Sequence, residues 1–291
     1  MGPAALTVVP SGAFVAACKA VGLRADGAVR LSGHATEVYL LPAAGAVARS
    51  GSGAEEAQRA VAITRWLGAQ EFPVTRPLDV EQPAVVNGRA ITFWEHYPQR
   101  PDRRPGVAEL GAVLRRLHDL PDSPVALPGY RPLSGLGRAL EDCRLEPGMA
   151  EWLADRRGVL LAAYERLEFA LPVGQIHGDA YPGNLLRVGD GVVLGDWDEC
   201  AVGPREADLV NTYQGVRFGR TPGELQAFGE AYGYDVTEWD GFATMREMRD
   251  LHTLGPFIRR ADRGDRAAAA ELGHRVGTLR RGSGEGWSAA G

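Results

Sequence analysis

The sequence predicts an α+β protein of two lobes, in which a small antiparallel β-sheet lobe precedes a larger, mainly helical lobe. In residues 28–95, short apolar runs alternate with turn residues such as Asn87-Gly88, which is typical of antiparallel hairpins. Beyond residue 106, apolar residues recur mostly at helical spacing. A polar, proline-rich stretch separates the two patterns. We therefore place an N-terminal lobe at 1–95, a connector at 96–105 and a C-terminal lobe at 106–291.

The small lobe is expected to hold about five strands and one inserted helix, after a first helix at 11–21 that ends at Gly22. The inserted helix, 55–67, has most of its apolar residues on one face and stops at Gly68. The predicted strands and shorter extended pieces are 29–32, 37–41, 46–49, 77–80, 84–86 and 90–95.

The large lobe is expected to be helical apart from one hairpin. In its first helix Leu110, Val113, Leu114 and Leu117 share one face, which indicates a side packed on the core. The predicted helices are 107–120, 134–145, 148–169, 205–216, 222–232, 240–262 and 265–281.

Composition excludes several classes of protein. A net charge of −5 argues against a dedicated nucleic-acid binder. Cys18, Cys143 and Cys200 form no Cys-x-x-Cys pair, so they indicate neither a zinc site nor a disulfide framework. No signal peptide and no run of 18 apolar residues is found, so no membrane span is expected. We expect a cytoplasmic protein that is a monomer or a weak homodimer.

The most informative segment is residues 177–184, which read His-Gly-Asp-Ala-Tyr-Pro-Gly-Asn and are followed by Asp196-Trp197-Asp198. Phosphoryl transfer from a nucleotide uses a loop aspartate as base, an asparagine five residues later as metal ligand, and an aspartate beyond a hairpin as second ligand. Those roles fall to Asp179, Asn184 and Asp196, with Mg²⁺ as the metal. His177 is expected to be a buried hydrogen-bonding residue rather than a catalytic one.

The hairpin itself allows a test of this interpretation. Residues 185–188 and 192–195 are two apolar strands around Gly189-Asp190-Gly191. Reflecting the chain about Asp190 places Asn184 opposite Asp196, and paired residues of an antiparallel hairpin lie about 4.5–5.5 Å apart. Two oxygen ligands at that spacing would share one metal ion. The alternative is a solvated hairpin with acidic neighbours.

With these residues in view, the chain resembles the aminoglycoside phosphotransferase family, a branch of the protein-kinase-like fold. The resemblance extends over nearly the full length, and the loop at 179–184 with Asp196 carries it most specifically. Further matches are the family's Gly-x-x-x-x-Asp-Leu segment, its Leu-His helix end and its inter-lobe hinge, which correspond to residues 203–209, 117–118 and 93–97. The resemblance implies transfer of phosphate from ATP or GTP to a hydroxyl of a small molecule, often an antibiotic, and therefore a role in antibiotic resistance.

The resemblance also implies where the nucleotide binds. Backbone groups of Glu95 and Tyr97 would meet the adenine edge, and Ser32 and Gly33 would begin the loop that covers the phosphates. That loop, 32–36, is short and not rich in glycine.

The small lobe departs from the family at its phosphate-binding lysine. Of the 32 lysine and arginine residues only Lys19 is a lysine, and Arg49 stands at the end of the matching strand. Its planar guanidinium group still supplies positive charge to phosphates. The helix glutamate that normally pairs with the lysine is displaced, so Glu55 or Glu56 would have to replace it.

The acceptor is less defined by the sequence. Acidic residues near the expected cleft favour a cationic acceptor through electrostatic steering. The candidate acceptor-binding residues are Asp198, Glu199, Asp240, Arg246, Glu247 and Asp250. A kinase acting on choline, a sugar or an amino alcohol would use the same parts, and a non-catalytic kinase-like protein that binds a ligand is the alternative from another class.

Overall fold

The computed structural model describes residues 6–7, 11–33, 36–51 and 53–288 of the 291-residue chain. The strands in this part are β1 (Leu6–Thr7), β2 (Val29–Gly33), β3 (Glu37–Leu41), β4 (Ala46–Gly51), β5 (Ala84–Val86), β6 (Arg89–Glu95), β7 (Val173–Ile176), β8 (Leu185–Val188), β9 (Gly191–Leu194) and β10 (Ala201–Pro204). The α-helices are α1 (Gly12–Ala20), α2 (Ala54–Ala69), α3 (Val107–Asp119), α4 (Ser134–Glu141), α5 (Pro147–Tyr164), α6 (Glu206–Tyr213), α7 (Pro222–Tyr232), α8 (Phe242–His252), α9 (Gly255–Asp262) and α10 (Arg266–Arg280). Contacts within the chain divide these residues into two compact units.

Unit 1 contains an antiparallel sheet with the strand order β1-β2-β3-β4-β6-β5. Helix α1 begins where the Ser11 hydroxyl accepts a hydrogen bond from the Phe14 N–H at 3.3 Å. Phe14 and Cys18 of α1 share one buried apolar cluster with Leu41 and Phe93 of the sheet. The α+β class predicted from the sequence is confirmed.

Strands β5 and β6 form a hairpin. Its two turn residues, Asn87 and Gly88, have φ values of 51° and 75°, and a turn of this kind requires such positive values.

The centre of the sheet positions Arg49. Strand β4 pairs with β3 on one side and β6 on the other, which places Arg49 opposite Val38 and Thr92. Arg49 therefore lies within a strand that is fixed on both sides.

The β8–β9 hairpin belongs to unit 1. The Leu194 N–H donates to the Pro73 carbonyl at 2.8 Å, and the Thr75 N–H donates to the Leu194 carbonyl at 3.0 Å. Trp197, which is buried, packs edge-on against Phe72 with ring centroids 6.0 Å apart.

These contacts explain how the units divide the chain. Unit 1 comprises the described residues up to Pro105 with Leu120–Leu127 and Gly183–Cys200. The sequence prediction assigned the last two segments to the C-terminal lobe, and the backbone bonds of the hairpin account for the place of Gly183–Cys200 in unit 1.

Unit 2 is mainly helical. Helices α3 and α7 pack so closely that a Cβ atom at Gly111 would lie 2.5 Å from the Phe228 carbonyl oxygen. The face of α3 predicted by its apolar spacing is buried, as expected. Helix α6 is buried along its whole length, and β7 pairs antiparallel with β10, with Ile176 opposite Ala201.

The prediction of one helix at 240–262 is wrong. Helix α8 ends at His252 and α9 begins at Gly255, because Pro256 has no N–H to donate to the His252 carbonyl. The helices predicted at 134–145 and 148–169 also end earlier, at Glu141 and Tyr164. Strands β7 and β10 were not predicted, because no hairpin turn joins them, as one joins β8 to β9, and four residues alone give too little periodicity. Within the described ranges, no helix has the length and apolar character needed to cross a membrane.

Candidate active site

Asp179, the candidate base, lies in the loop that follows β7 in unit 2. Gly178 precedes it with a φ of 84°, a left-handed conformation that side chains with a Cβ atom rarely adopt. The Asp179 side chain is 28% exposed and accepts a hydrogen bond from Nη2 of Arg249 at 2.6 Å. Arg249 comes from α8 and is itself 11% exposed. This charge-assisted bond fixes the direction of the Asp179 carboxylate.

The backbone of the loop is held by Asp208 of α6. One carboxylate oxygen of Asp208 accepts the Gly178 N–H at 2.8 Å, and the other accepts the His177 N–H at 2.8 Å and lies 3.2 Å from Nε2 of His118. Burial of this carboxylate raises its pKa, but the hydrogen bond and charge of His118, with the N–H of His177, outweigh burial and leave the pKa of Asp208 lowered. Asp208 is fully buried and anchors the loop.

Asp208, which anchors the loop, is connected in turn to helices α3 and α7. Nδ1 of His118 lies 2.8 Å from the Tyr232 hydroxyl, which links α3 and α7 to the loop through Asp208. His177 is fully buried, and its Nδ1 accepts a hydrogen bond from the Asp179 N–H at 3.3 Å. The expected structural role of His177 is confirmed.

In unit 1, Arg49 contacts two carboxylates at once. Its Nη2 lies 2.5 Å from Oδ1 of Asp196 and 2.9 Å from Oδ2 of Asp198. Burial lowers the pKa of the Arg49 guanidinium, but the charges of Asp196 and Asp198 outweigh that effect and the net pKa is raised. Arg49 is therefore held as a cation between the two carboxylates.

The predicted pairing of Asn184 with Asp196 is wrong by one residue. Strands β8 and β9 pair with Leu185 opposite Leu194, which leaves a turn of two residues where the prediction assumed three. The residue that lies opposite each position of β8 is therefore one earlier in the chain than predicted. Asn184 instead faces Gly195, whose N–H donates to the Asn184 carbonyl at 2.9 Å.

Asp196 follows a sharp change of backbone direction. Its φ and ψ of 64° and 62° are left-handed, a conformation that aspartate tolerates better than most residues. Gly195 packs against Thr75 so closely that a Cβ atom there would lie 2.9 Å from Cγ2 of Thr75. The tight approach at Gly195 and the turn at Asp196 end the hairpin and begin the short 3₁₀ helix Trp197–Glu199.

These residues fit a divalent cation. Asp196 and Asp198 already converge on one positive charge, the Arg49 guanidinium, and the side chains remain 45% and 44% exposed. Mg²⁺ prefers oxygen ligands and usually takes one or two carboxylates together with waters or phosphates. The two carboxylates in unit 1 are ligands of that kind. Asn184, the other predicted ligand, ends a short 3₁₀ helix just before β8 and is buried.

The predicted partners of Arg49 are wrong. Glu55 and Glu56 lie exposed in the first turn of α2. Within the described part of the chain, Arg49 forms its ion pairs with Asp196 and Asp198 and none with either glutamate. The counter-charge thus comes from the end of the hairpin rather than from the helix.

Glu95 and Tyr97, the predicted adenine contacts, form a small polar cluster. The Tyr97 hydroxyl donates to the Glu95 carboxylate at 2.9 Å and accepts the Arg76 N–H at 3.1 Å. Burial, with a smaller contribution from Glu95, raises the pKa of Tyr97 to about 12. The Glu95 N–H donates to the Arg76 carbonyl at 2.9 Å, so an adenine contact there would use other backbone groups.

Ser32 and Gly33, the predicted start of the phosphate-covering loop, end strand β2. They pair with Val38 and Glu37 of β3. The next two residues of that loop, His34 and Ala35, lie outside the described residues.

Two of the predicted acceptor residues are held by arginines. Glu247 of α8 forms a two-point ion pair with Arg156 of α5. Asp250 is 3% exposed and accepts hydrogen bonds from Arg217 at 3.0 Å and 3.2 Å. Asp250 is therefore a structural ion-pair residue, and its geometry does not support contact with an acceptor.

The remaining predicted acceptor residues are solvent-exposed. Asp198 pairs with Arg49, and Glu199 ends the same 3₁₀ helix. Asp240 precedes α8, and Arg246 lies on that helix, over the ring of Phe242.

Sequence reasoning missed Arg249, which contacts Asp179 across 70 positions of the chain. Its neighbours Arg246, Glu247 and Asp250 were singled out for charge, and the only available signal was that Arg249 lies on the same helix. Asp208 was noted as part of a motif, but its role as anchor depends on the fold.

The structure resembles those of solved kinases. It matches the amicoumacin kinase hAmiN in complex with AMP-PNP, Ca²⁺ and Ami with a TM-score of 0.70, 15% identity and coverage of 90% of each chain. It matches the spectinomycin phosphotransferase APH(9)-Ia in complex with ADP and spectinomycin with a TM-score of 0.64 and 16% identity, covering 93% of this chain and 95% of that one. The predicted protein-kinase-like fold is confirmed.

The sequence profile of the phosphotransferase enzyme family, APH, matches residues 30–251. The chain belongs to this family. A curated relative, the homoserine kinase of Rhodopseudomonas palustris strain HaA2, is 32% identical over 117 residues, which are 38% of this chain and 33% of the relative. The chain therefore spans only about a third of the length of this relative.

Proposed function

We propose that this protein is a small-molecule kinase that transfers the γ-phosphate of ATP or GTP to a hydroxyl group, with Mg²⁺. The observation that carries the proposal is the partly exposed carboxylate of Asp179 in a loop fixed by the buried Asp208. Membership of the phosphotransferase enzyme family supports it. The convergence of Asp196 and Asp198 on one cation supports the metal site.

In the proposed reaction Asp179 accepts the proton of the acceptor hydroxyl. The acceptor oxygen then bonds to the γ-phosphorus, the bond from phosphorus to the β-phosphate oxygen breaks, and ADP or GDP leaves. Asp208 acts through the backbone of the loop, because its carboxylate binds the two N–H groups that precede Asp179.

The residues of unit 1 would bind the nucleotide. Asn184 and Asp196, with Asp198 beside them, would hold Mg²⁺, which when bound neutralises charge on the phosphates. Arg49, which pairs with both carboxylates here, would be available to phosphate oxygens when the carboxylates hold the metal, and its planar group suits such oxygens.

Two classes of acceptor are supported. The antibiotic kinases named above share the fold but only 15% and 16% of their residues with this chain. The homoserine kinase is 32% identical over its matched segment, and this favours a metabolite with an amino-alcohol unit. A metabolite kinase is therefore the second candidate beside the antibiotic kinase.

The proposal is tested by measuring release of ADP or GDP in the presence of Mg²⁺. The acceptor panel comprises aminoglycosides, spectinomycin, hydroxy amino acids, amino alcohols and sugars. Turnover that depends on one acceptor class would support the proposal and choose between the two candidates. Tight binding of a panel compound without nucleotide turnover would favour the non-catalytic ligand-binding protein.

Replacing Arg49 by alanine should affect nucleotide and metal in opposite directions. We expect the nucleotide KM to rise about tenfold, because a charge-assisted bond to phosphate is lost. The Mg²⁺ concentration for half-maximal activity should fall, because Asp196 and Asp198 lose the cation that competes with the metal. Steady-state kinetics at varied nucleotide and Mg²⁺ concentrations measures both.

A matched control is Arg24→Ala, which removes an exposed arginine that pairs with Asp26 in the same unit. It should leave both constants unchanged. An unaltered nucleotide KM in Arg49→Ala would mean that another group holds the phosphates.

A further inference from the structure

A narrow pocket in unit 2 lies beside the candidate base. Gly178, the neighbour of Asp179, forms part of its wall, and Met245 and Met248 are among the apolar lining residues. Its polar lining includes Asn211, Arg249 and His252, but no carboxylate among the described residues. The pocket has room for a group about as large as a water molecule.

Arg249 lines this pocket and has one N–H donor without a partner among the described residues. Its Nη2 donates to Asp179, whereas its buried Nε has no hydrogen-bond partner within the described chain. A buried guanidinium N–H without a partner is costly, since such groups are almost always paired. A guanidinium group has five N–H donors in a fixed fork that matches the two oxygens of a carboxylate. The unpartnered Nε–H of Arg249 therefore suits an anionic ligand group.

The charges around the pocket agree with this preference. Burial lowers the pKa of His252 to about 4, and the positive charges of Arg249 and Arg259 act in the same direction, against the opposing effect of Asp179. His252 is therefore neutral at physiological pH, in surroundings that disfavour a further positive charge.

The acidic residues of α8 do not reverse this balance. Glu247 is engaged by Arg156, and Asp250 by Arg217. The cationic acceptor expected from the sequence relied on other carboxylates, those of Asp198, Glu199 and Glu206, and Asp198 pairs with Arg49. A ligand cation would have no carboxylate in the pocket lining to meet.

We propose that the acceptor carries a carboxylate, which Arg249 binds beside the hydroxyl that Asp179 deprotonates. This proposal rests on the proposed kinase function and names the acceptor class. A planar carboxylate can place one oxygen in this narrow pocket, whereas a tetrahedral phosphate or an aminoglycoside ring is bulkier.

The test uses pairs of acceptors that differ only in the carboxylate, namely L-homoserine with 3-aminopropan-1-ol, and L-serine with ethanolamine. In the unaltered protein we expect kcat/KM to be about ten- to a hundredfold higher for the carboxylate member of at least one pair. In Arg249→Gln this ratio should fall to about one. Any loss that acts through Asp179 is common to both members of a pair, so the ratio isolates the carboxylate contact.

Two further variants sharpen the result. Arg249→Lys keeps the charge without the fork and should retain part of the ratio. Arg266→Gln removes an exposed arginine from the start of α10 and should leave the ratio unchanged. Preference for ethanolamine, 3-aminopropan-1-ol or a cationic antibiotic in the unaltered protein would overturn the proposal, as would an equal ratio in Arg249→Gln.

A binding measurement does not depend on turnover. At constant ionic strength, sodium acetate in place of sodium chloride should raise the Tm of the unaltered protein by about 2 °C and leave that of Arg249→Gln unchanged. Equal shifts in both proteins would overturn the carboxylate site. If no acceptor of the panel were phosphorylated, the kinase proposal would fail while the acetate result still tested the site.

Discussion

Asp179→Asn is expected to lower kcat by a factor of about 10²–10⁴, because the amide cannot accept the hydroxyl proton. The substitution keeps the size of the side chain and leaves the Asp208 contacts with His177 and Gly178 in place. The nucleotide KM should therefore change little. Release of ADP or GDP measured at saturating acceptor tests the expectation.

The control for this change is Asp190→Asn in the hairpin turn. Asp190 is fully exposed, and among the described residues its ion pair is with Arg103 at 3.3 Å, so the same aspartate-to-asparagine change should leave kcat unaltered. If Asp179→Asn retained full activity while Asp190→Asn did too, Asp179 would not be the base. Retained binding of nucleotide in Asp179→Asn would show that the loss lies in the chemical step.

Asp208→Asn is expected to be the most destabilising single change among the residues of the site. The asparagine has one acceptor oxygen for two backbone N–H groups, and its NH₂ group would face one of them. Breaking a buried, charged hydrogen-bond cluster of this kind costs about 3–5 kcal/mol. Urea denaturation at pH 7 measures the loss.

The dependence of the unfolding free energy on pH provides a second test of Asp208→Asn. The pKa of Asp208 is lower in the folded protein than in an unfolded chain, where an aspartate has a pKa of about 3.9. Its stabilising contribution is therefore complete above that value and is lost as pH falls through the folded-state pKa. The difference in unfolding free energy between the unaltered protein and Asp208→Asn should be constant from pH 7 to 5 and shrink in stronger acid. A difference that stays constant below pH 3 would contradict this role for Asp208.

The sequence predicted much of the arrangement because local patterns determine it. The Asp179-to-Asn184 spacing, the apolar hairpin and Asp196 all lie within one short segment, and the class of protein follows from them. The hairpin register could not be fixed in the same way. It depends on whether Asp190 is the centre of a three-residue turn or one of two turn residues, and both choices satisfy the same glycine-rich sequence.

Contacts between distant segments account for most of the other features that the sequence did not predict. Arg249 follows Asp179 by 70 positions, and no periodic pattern links them. The family resemblance implied that the partner of Arg49 would be a glutamate of α2. The fold instead brings Asp196 and Asp198 to Arg49 from the segment that follows β9. The break between α8 and α9 could have been predicted from the sequence, because Pro256 lacks the N–H that a continuous helix needs at that position.

Arginine at position 49 also determines how this protein can be labelled. A nucleotide analogue with an acyl phosphate transfers its acyl group to a neighbouring amine, and a permanently protonated guanidinium group has no lone pair for that attack. Lys19, the one lysine in the chain, lies exposed on α1, far along the sequence from the hairpin. An acyl-phosphate analogue of a nucleotide bound at Arg49 would therefore leave no acyl group on that side chain.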